Sequence, residues 1–319
     1  MTGLRILVVR LSSMGDVIHA LPAVASLKHS FPRSHLSWAI RPRWVPLLEG
    51  NPFVDDVIPL DRATLSIPAV WRTLRSHKFD LAVDFQGLVQ SALLAAAARA
   101  DKVVGFHRSA VREWPAALFY STGVETQAAH AVDRNLDLVA GAGASSLLRT
   151  FPLPDGTAEG RLPQGKFVLA SPLAGWGAKQ WPFERYEDLA ALLPVPLVVN
   201  GPPESAAQLQ RIRGAHVHLS GISGLIHATR CAQAVVGVDS GPLHLAAALG
   251  KPGVAVYGPT NPARHGPYGG SIQVLRIADA VTSYTRRTTP TDSMQAISAM
   301  DVHQALTGAL EIKSASCPA

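Results

Sequence analysis

Two short polar turns carry the side chains best suited to chemistry in this chain of 319 residues. One of them contains Asp239, Ser240 and Gly241, with His244 three residues further on. A valine-rich run precedes this turn and an Ala/Leu-rich run follows it, which predicts a buried parallel strand, a tight turn and a helix. The free backbone N–H groups and positive dipole end of such a helix bind anions, most naturally a phosphate. The residues fit equally well a plain helix cap, with Asp239 or Ser240 satisfying backbone donors and His244 at the surface.

Asp16 lies in the other turn, which follows a short predicted strand at residues 4–10. A helix is predicted after it at 17–28, with Pro22 near enough to the start to be tolerated. As a residue at the start of a helix, Asp16 would be a cap stabilised by the dipole. As a carboxylate at the C-terminal end of a first strand, it occupies the position where open α/β sheets bind ligands, and this position favours the second interpretation.

Four further polar residues follow predicted strands. Asp84 and Gln86 end one strand, and a polar residue that merely terminates the strand is the simpler interpretation of Asp84. Lys179 lies on a glycine-containing loop, where it is either a solvated surface charge, the commoner role of lysine, or a cation placed for a phosphate. Glu204 either begins a helix or holds ribose hydroxyls, as acidic residues do at such crevices.

Alternating apolar runs and helical segments predict parallel sheets that helices cover on both faces. This pattern stops at a stretch rich in proline and glycine, 150–165, and then starts again. We therefore expect an α/β protein with two domains, 1–155 and 156–319. Residues 141–146 look faintly like a dinucleotide glycine loop, but they follow a helical stretch rather than a strand. No other stretch offers Gly-x-Gly-x-x-Gly between a strand and a helix, which argues against a classical NAD enzyme.

Composition restricts the class of partner. Hydrophobic residues make up 47% of the chain and charged residues 16%, and the net charge is +6 with a pI of about 9.6. The basic excess favours acidic partners such as anionic sugars, nucleotides or a membrane surface, whereas the lack of a Lys/Arg-rich run with interleaved aromatics argues against nucleic acid.

Cys231 and Cys317 lack metal-ligand spacing and fit a reducing cytoplasm. No run reaches the about 18–20 apolar residues that span a bilayer, and no signal peptide is expected.

Five segments, in this order, resemble the ADP-heptose:lipopolysaccharide heptosyltransferases. They are SSMGDVIHALP at 12–22, DFQGLVQS at 84–91, GWGAKQWP at 175–182, VDSGPLHL at 238–245 and YGPT at 257–260. The resemblance covers most of the chain, and the joint occurrence of the segments is highly specific. It implies a GT-B type fold, with two Rossmann-like domains facing a central cleft, in which the last helix can pack back on the first domain. It also implies an inverting glycosyltransferase. The form of the first segment points to the branch that adds the first heptose to Kdo of the lipopolysaccharide inner core.

The same resemblance implies roles for individual residues. Asp16 would be the general base that takes the proton from the acceptor hydroxyl. Lys179 and the turn at Ser240 would bind the pyrophosphate of ADP-heptose and stabilise the departing ADP. The donor-binding set would comprise Lys179, Glu204, Asp239, Ser240, Gly241 and His244. The acceptor-binding set would comprise Arg10, Ser12, Ser13, Gly15, His19, Gln86 and Arg108.

The resemblance also implies the ligands. ADP-heptose would be a substrate, and neither a cofactor nor a metal is expected because the helix dipole, Lys179 and His244 can replace a divalent cation. The expected acceptor is a Kdo–lipid A glycolipid, with the protein cytoplasmic or peripheral on the cytoplasmic face of the inner membrane. Arg10 and Ser240 stand where relatives often carry lysine and threonine, which keeps the cation and the hydroxyl. The alternatives are transfer to a later core heptose and a sugar-nucleotide epimerase of similar architecture.

Overall fold

The computed structural model describes residues 3–61, 68–283, 285 and 287–315. The chain divides into two compact units, Met1–Pro154 and Asp155–Ala319, and each unit has its own parallel sheet. Cys231 is an exposed free thiol, whereas Cys317 lies outside the described residues.

Within its described residues, the first unit contains six parallel strands: β1 (Arg5–Val9), β2 (His35–Ile40), β3 (Asp56–Pro59), β4 (Leu81–Asp84), β5 (Lys102–Phe106) and β6 (Thr122–Val124). They pair in the order β3-β2-β1-β4-β5-β6. The helices are α1 (Met14–Ser30), α2 (Pro68–Ser76), α3 (Val89–Ala97) and α4 (Ala131–Ala142), with 3₁₀ helices at Pro42–Leu47 and Trp114–Phe119. The strand order reverses between β1 and β4, where doubly wound sheets bind ligands at the carboxyl ends of their strands.

The described part of the second unit contains another six parallel strands: β7 (Val168–Ser171), β8 (Leu197–Gly201), β9 (His216–Leu219), β10 (Ala234–Val238), β11 (Gly253–Val256) and β12 (Ile272–Leu275). Their order, β12-β11-β10-β7-β8-β9, repeats the topology of the first unit, with the reversal between β7 and β10. Its helices are α5 (Phe183–Leu192), α6 (Ala206–Leu209), α7 (Ile222–Cys231), α8 (Gly241–Ala248), α9 (Pro262–His265), α10 (Asp292–Gln295) and α11 (Ala299–Ala315). Two 3₁₀ helices lie at Gly177–Lys179 and Pro203–Ser205.

The central strands are buried along almost their whole length. Residues 6–9 of β1 have no exposed surface, and all five residues of β10 are buried. Because both faces of these strands are covered, their sequences are continuous apolar runs rather than alternating patterns. Each fully buried valine or leucine side chain contributes about 1.5–3 kcal/mol to the free energy of folding. In the second unit α11 packs against α5, β11 and β12.

Helix α1 begins earlier than the sequence pattern predicts. Ser13 precedes its first residue, and the Asp16 carboxylate accepts hydrogen bonds from the Ser13 backbone N–H and hydroxyl, both at 2.9 Å. This capping box closes the first turn around Met14 and places Pro22 in the interior of the helix rather than near its start. The Pro22 carbonyl accepts a hydrogen bond from the Ser26 hydroxyl at 2.7 Å.

The predicted fold class is confirmed. Both sheets are parallel, carry helices and have the strand order of Rossmann-like doubly wound folds. In the part of the chain that the structure describes, every helix is too short or too polar to cross a membrane.

Candidate active site

Arg10 connects the two strand ends at the switch point of the first sheet. Its Nη2 lies 2.6 Å from Oδ1 of Asp16, in the helix that follows β1, and its Nη1 donates to the carbonyl oxygen of Phe85, which follows β4, at 2.6 Å. The Gln86 side chain makes a second connection, because its Oε1 accepts a hydrogen bond from the Leu11 backbone N–H at 2.8 Å. Because β1 and β4 are parallel neighbours, their carboxyl ends are adjacent, and Asp16 and Gln86 lie in one polar cluster. The order of the strands along the chain does not predict that these two are neighbours.

Asp16 caps the first turn of α1 and stays accessible at the end of β1. One carboxylate oxygen pairs with Arg10 and the other caps the helix through Ser13. Its side chain remains 23% exposed, so a ligand hydroxyl can reach a carboxylate whose orientation is fixed from two sides. A fixed and accessible carboxylate at a strand end can act as a general base.

Asp84 is the last residue of β4 and is completely buried. Its carboxylate accepts hydrogen bonds from the Ser91 and Tyr120 hydroxyls at 2.8 Å each, and from the backbone N–H groups of Gln86 at 2.8 Å and Gly87 at 3.4 Å. Burial raises the pKa of Asp84, although these hydrogen bonds oppose the shift. Burial and the neighbouring Asp84 also raise the pKa of Tyr120, so its phenol stays a donor. Asp84 therefore shapes the turn that holds Gln86, in line with its simpler interpretation.

The other acceptor-side candidates differ in accessibility. Ser12 is half-buried, Ser13 and Arg108 are exposed, and Gly15 is buried in the first turn of α1. His19 is 3% exposed, and its ring meets the ring of His130 edge-on with centroids 5.4 Å apart. Arg108 follows β5 and therefore lies at the same carboxyl edge of the sheet as Asp16.

An ion pair also occupies the switch point of the second sheet. The Nζ of Lys179, after β7, lies 2.6 Å from Oδ2 of Asp239, after β10, and Nε2 of His244 lies 3.6 Å from Oδ1 of the same carboxylate. Burial alone would raise the pKa of Asp239, but the hydrogen bond from His244 and the charge of Lys179 outweigh burial and hold it well below its usual range. Asp239 is thus an ionised carboxylate with one cationic and one imidazole neighbour.

The loop that carries Lys179 is held on two sides. The Lys179 ammonium lies 4.4 Å from the centre of the Trp176 ring, a cation–π contact. The backbone N–H of Ala178 donates to the Arg287 carbonyl at 3.1 Å. A Cβ added at Gly177 would lie 1.8 Å from the carbonyl oxygen of Thr288, so only glycine fits this packing. The glycines of this motif therefore have unequal roles, and Gly177 is required for the close backbone approach.

Ser240 precedes the first residue of α8, but its side chain makes no capping hydrogen bond. Its hydroxyl is buried, and no partner for it is found among the described residues. The hydroxyl of Thr260, after β11, is also buried with no partner found among the described residues, and Thr260 as a whole is 5% exposed. Gly241 begins α8 and is half-buried. The capping interpretation of Ser240 is therefore not realised through its side chain, and two buried hydroxyls at neighbouring strand ends can receive a ligand.

Glu204 is exposed on the 3₁₀ helix Pro203–Ser205 after β8, the strand beside β7. It therefore lies at the carboxyl edge of the sheet, one strand away from the loop that carries Lys179. Thr260 lies in the YGPT segment of the resemblance, which gives it no individual role and does not reveal that its hydroxyl will be buried. Its place in that segment and its position after a buried strand are the signals that point to it.

The chain is similar to proteins of known family and to solved structures. The sequence profile of glycosyltransferase family 9 (heptosyltransferase) matches residues 67–294. Lipopolysaccharide heptosyltransferase 1 of Pseudomonas aeruginosa is 30% identical over 299 residues, which cover 84% of this chain and 82% of that protein. The solved structure of the E. coli heptosyltransferase WaaC with ADP has a TM-score of 0.77 and 26% identity, and covers 96% of this chain and 100% of its own. WaaC with ADP-2-deoxy-2-fluoro heptose also has a TM-score of 0.77 and 26% identity, with coverages of 96% and 99%.

Proposed function

Because the chain belongs to glycosyltransferase family 9, the heptosyltransferases, we propose that it transfers heptose from ADP-L-glycero-D-manno-heptose to Kdo of the lipopolysaccharide inner core, the reaction of heptosyltransferase I. The chain is a glycosyltransferase, and the similarity to heptosyltransferase 1 over most of its length supports this member of the family. One structural observation carries the chemistry. Each sheet has a cation–carboxylate pair at its switch point, with an accessible carboxylate in the first unit and an ammonium beside a helix N-terminus in the second.

We propose that the second unit, 156–319 in the predicted division, binds the ADP-sugar. Lys179 and the N-terminal turn of α8 at Ser240 and Gly241 would hold the pyrophosphate, because both present positive charge to it. Asp239 would accept heptose hydroxyls while it keeps Lys179 in place, with His244 beside it. The structures of WaaC with ADP and with a fluorinated ADP-heptose support a nucleotide-sugar donor.

Glu204 would bind the ribose hydroxyls of the nucleotide. It is exposed at the carboxyl edge of β8, and a carboxylate accepts two hydrogen bonds from a vicinal diol. Donor binding by these groups needs no metal or cofactor in our proposal, because Lys179 and the helix dipole supply positive charge where the pyrophosphate would lie.

The first unit, 1–155, would bind the acceptor, and Asp16 would be the general base. As the acceptor oxygen attacks the anomeric carbon of the heptose, Asp16 takes its proton and the bond to the ADP oxygen breaks. Lys179 and the N-terminus of α8 stabilise the negative charge that develops on the departing ADP. A single displacement of this kind inverts the anomeric configuration.

The acceptor itself would be the Kdo of a lipid A glycolipid. Arg108 is an exposed cation at the acceptor edge and suits the Kdo carboxylate, whereas Arg10 is already engaged by Asp16 and Phe85. The proposed contacts are completed by Ser12, Ser13, Gly15, His19 and Gln86. Because such an acceptor is embedded in a bilayer, we propose a cytoplasmic protein that works at the cytoplasmic face of the inner membrane, without a nucleic-acid partner.

The proposal is tested by following ADP release from ADP-heptose with a panel of acceptors. We expect release with Kdo–lipid A and little without an acceptor. Release only with an acceptor that already carries heptose would move the activity to a later heptosyltransferase. Donor turnover without any acceptor, with a changed sugar configuration, would support the epimerase instead.

A further inference from the structure

Trp114 and Leu118 project large apolar side chains into solvent from one short element. On the 3₁₀ helix Trp114–Phe119 they are 66% and 75% exposed. In the described part of the chain, the other exposed large hydrophobic residues occur singly, each on a different element or loop. Scattered single residues need no explanation, whereas here a tryptophan and a leucine are both exposed within one helix of six residues.

The backbone beneath this pair is fixed. Ala116 is completely buried, and its N–H donates to the Glu113 carbonyl at 3.0 Å. The 3₁₀ helix packs against α3. The Glu113 N–H donates to the Gly87 carbonyl at 3.0 Å, which ties the helix to the turn after β4. The apolar side chains therefore stand on an ordered support rather than on a loose loop.

The charge around the pair is positive. Arg108 and Arg112 are exposed in the residues that lead into the helix. Glu113 is the acidic residue among them, and its carboxylate accepts a hydrogen bond from the Val89 N–H at the start of α3 at 2.8 Å. This carboxylate is bound at the positive end of a helix, and the two arginines and one glutamate together leave a formal charge of +1 in this segment.

The helix that carries Trp114 and Leu118 lies near the proposed acceptor site. Arg108 follows β5, and the turn at Gly87 follows β4, so the surface adjoins the carboxyl edge that carries Asp16 and Gln86. A partner bound here would lie next to the proposed acceptor site of the same unit.

We infer that Trp114, Leu118, Arg108 and Arg112, here named the Trp114 surface, dock the first unit on an anionic lipid bilayer. This inference rests on the proposed function, because the acceptor is then a glycolipid whose acyl chains lie in that bilayer. Tryptophan favours the membrane–water interface, leucine gains from burial among acyl chains, and each arginine is attracted to anionic headgroups. The four side chains together match the chemistry of a bilayer surface better than that of a polar protein.

Vesicle binding tests the surface directly. Wild-type protein is sedimented with vesicles of phosphatidylethanolamine alone and with vesicles that also contain phosphatidylglycerol. We expect binding to be stronger to the anionic vesicles and to fall about tenfold or more in Trp114→Ser/Leu118→Ser, since two apolar side chains are lost. Arg112→Gln should weaken it about fivefold. The matched controls are Met300→Ser, an exposed apolar residue on α11, and Arg33→Gln, an exposed arginine elsewhere. Both should bind as wild type.

Kinetic measurements distinguish a defect in membrane docking from a defect in the transfer reaction. With an acceptor in vesicles, Trp114→Ser/Leu118→Ser should raise the apparent KM about tenfold, while kcat on a deacylated, water-soluble Kdo acceptor stays unchanged. Equal vesicle binding by the double variant and wild type would overturn the inference, as would loss of self-association rather than of vesicle binding in that variant. Because vesicle binding needs no transfer, an inactive wild type that still binds through these residues would count against the proposed function and not against the docking surface.

Discussion

The Arg10 guanidinium holds the Asp16 carboxylate in an ion pair with Nη2 and Oδ1 2.6 Å apart. The same guanidinium is fixed by the Phe85 carbonyl, so the candidate base is connected to the neighbouring strand end as well as to its own helix. In the proposed reaction Arg10 is therefore a positioning residue for Asp16. A flat guanidinium with several donors suits this bridge better than an ammonium.

Replacement of Arg10 should lower the rate more than the affinity for substrate. In Arg10→Met, Asp16 loses its partner and its orientation, and we expect kcat to fall about 100-fold, with KM for ADP-heptose nearly unchanged. Arg10→Lys keeps the charge but cannot bond Asp16 and Phe85 with the same geometry, so its kcat should be intermediate. Steady-state kinetics of the two variants measure this, and a wild-type kcat in Arg10→Met would contradict the positioning role.

Removal of Lys179 should weaken donor binding and destabilise the second unit. In Lys179→Met the buried Asp239 carboxylate loses its closest cation, which should cost about 3 kcal/mol in the free energy of unfolding. ADP affinity, measured by calorimetry, should fall about 100-fold if the ammonium contacts the pyrophosphate. Lys28→Met is the matched control, because Lys28 forms an ion pair of the same 2.6 Å length with Asp55 away from both switch points. It should leave ADP affinity unchanged.

The stability difference between wild type and Lys179→Met should depend on pH. The pKa of Asp239 lies far below its value in an unfolded chain, so its stabilisation is complete above about pH 4 and is lost as the pH falls through the lowered pKa. Lys179→Met reduces this shift. Urea unfolding at a series of pH values should show the two proteins converging under acid conditions, and a constant difference would contradict the assignment.

Asp84 should show the opposite pH dependence. Burial raises its pKa, so the folded state takes up a proton more readily than the unfolded chain, and the contribution of Asp84 to stability rises as the pH falls through the raised pKa towards about 4. Asp84→Asn cannot titrate. Relative to that variant, wild type should gain stability over this range in urea unfolding, and parallel pH profiles would contradict the prediction.

The two glycines of the Lys179 loop should respond differently to alanine. A Cβ at Gly177 would collide with the Thr288 carbonyl, whereas a Cβ at Gly175 would meet no atom within 4 Å. Gly177→Ala must displace the loop, and we expect ADP affinity to fall about tenfold, which corresponds to the cost of such overpacking. Gly175→Ala, the matched control, should bind ADP within about twofold of wild type. Equal affinities for the two variants would show that the loop does not position Lys179 for the donor.

The sequence was sufficient for the fold class because the central strands are continuous apolar runs, such as the AVVGV of β10. It gave no sign of β6, whose three residues Thr122–Val124 include a glycine and are partly exposed at the edge of the sheet. It also misplaced the start of α1. Ser13 and Asp16 form a capping box there, but an aspartate at the third helical position replaces the glutamate or glutamine that the usual signature contains.

The positions of the candidate residues at strand ends followed from the sequence, but their partners did not. Arg10 is predicted to contact the acceptor, and the structure adds that its guanidinium binds Asp16 and a backbone carbonyl. Carbonyl groups have no sequence signature, so this bridge could not be foreseen. The pairing of Lys179 with Asp239, 60 residues apart, likewise depends on the order of β7 and β10 in the sheet. The roles of these residues in donor and acceptor binding stay predictions.

The most direct measurement compares heptose transfer and ADP binding in wild type and Asp16→Asn. Asparagine preserves the size of the side chain and one oxygen for the Ser13 cap, but it cannot act as the base. With ADP-heptose and a Kdo–lipid A acceptor, we expect the initial rate of heptosyl–Kdo formation to fall about 10³-fold in Asp16→Asn, while calorimetry gives an ADP affinity within about twofold of wild type. Transfer at the wild-type rate, or a parallel loss of ADP affinity, would contradict the role of Asp16 as the general base of a heptosyltransferase.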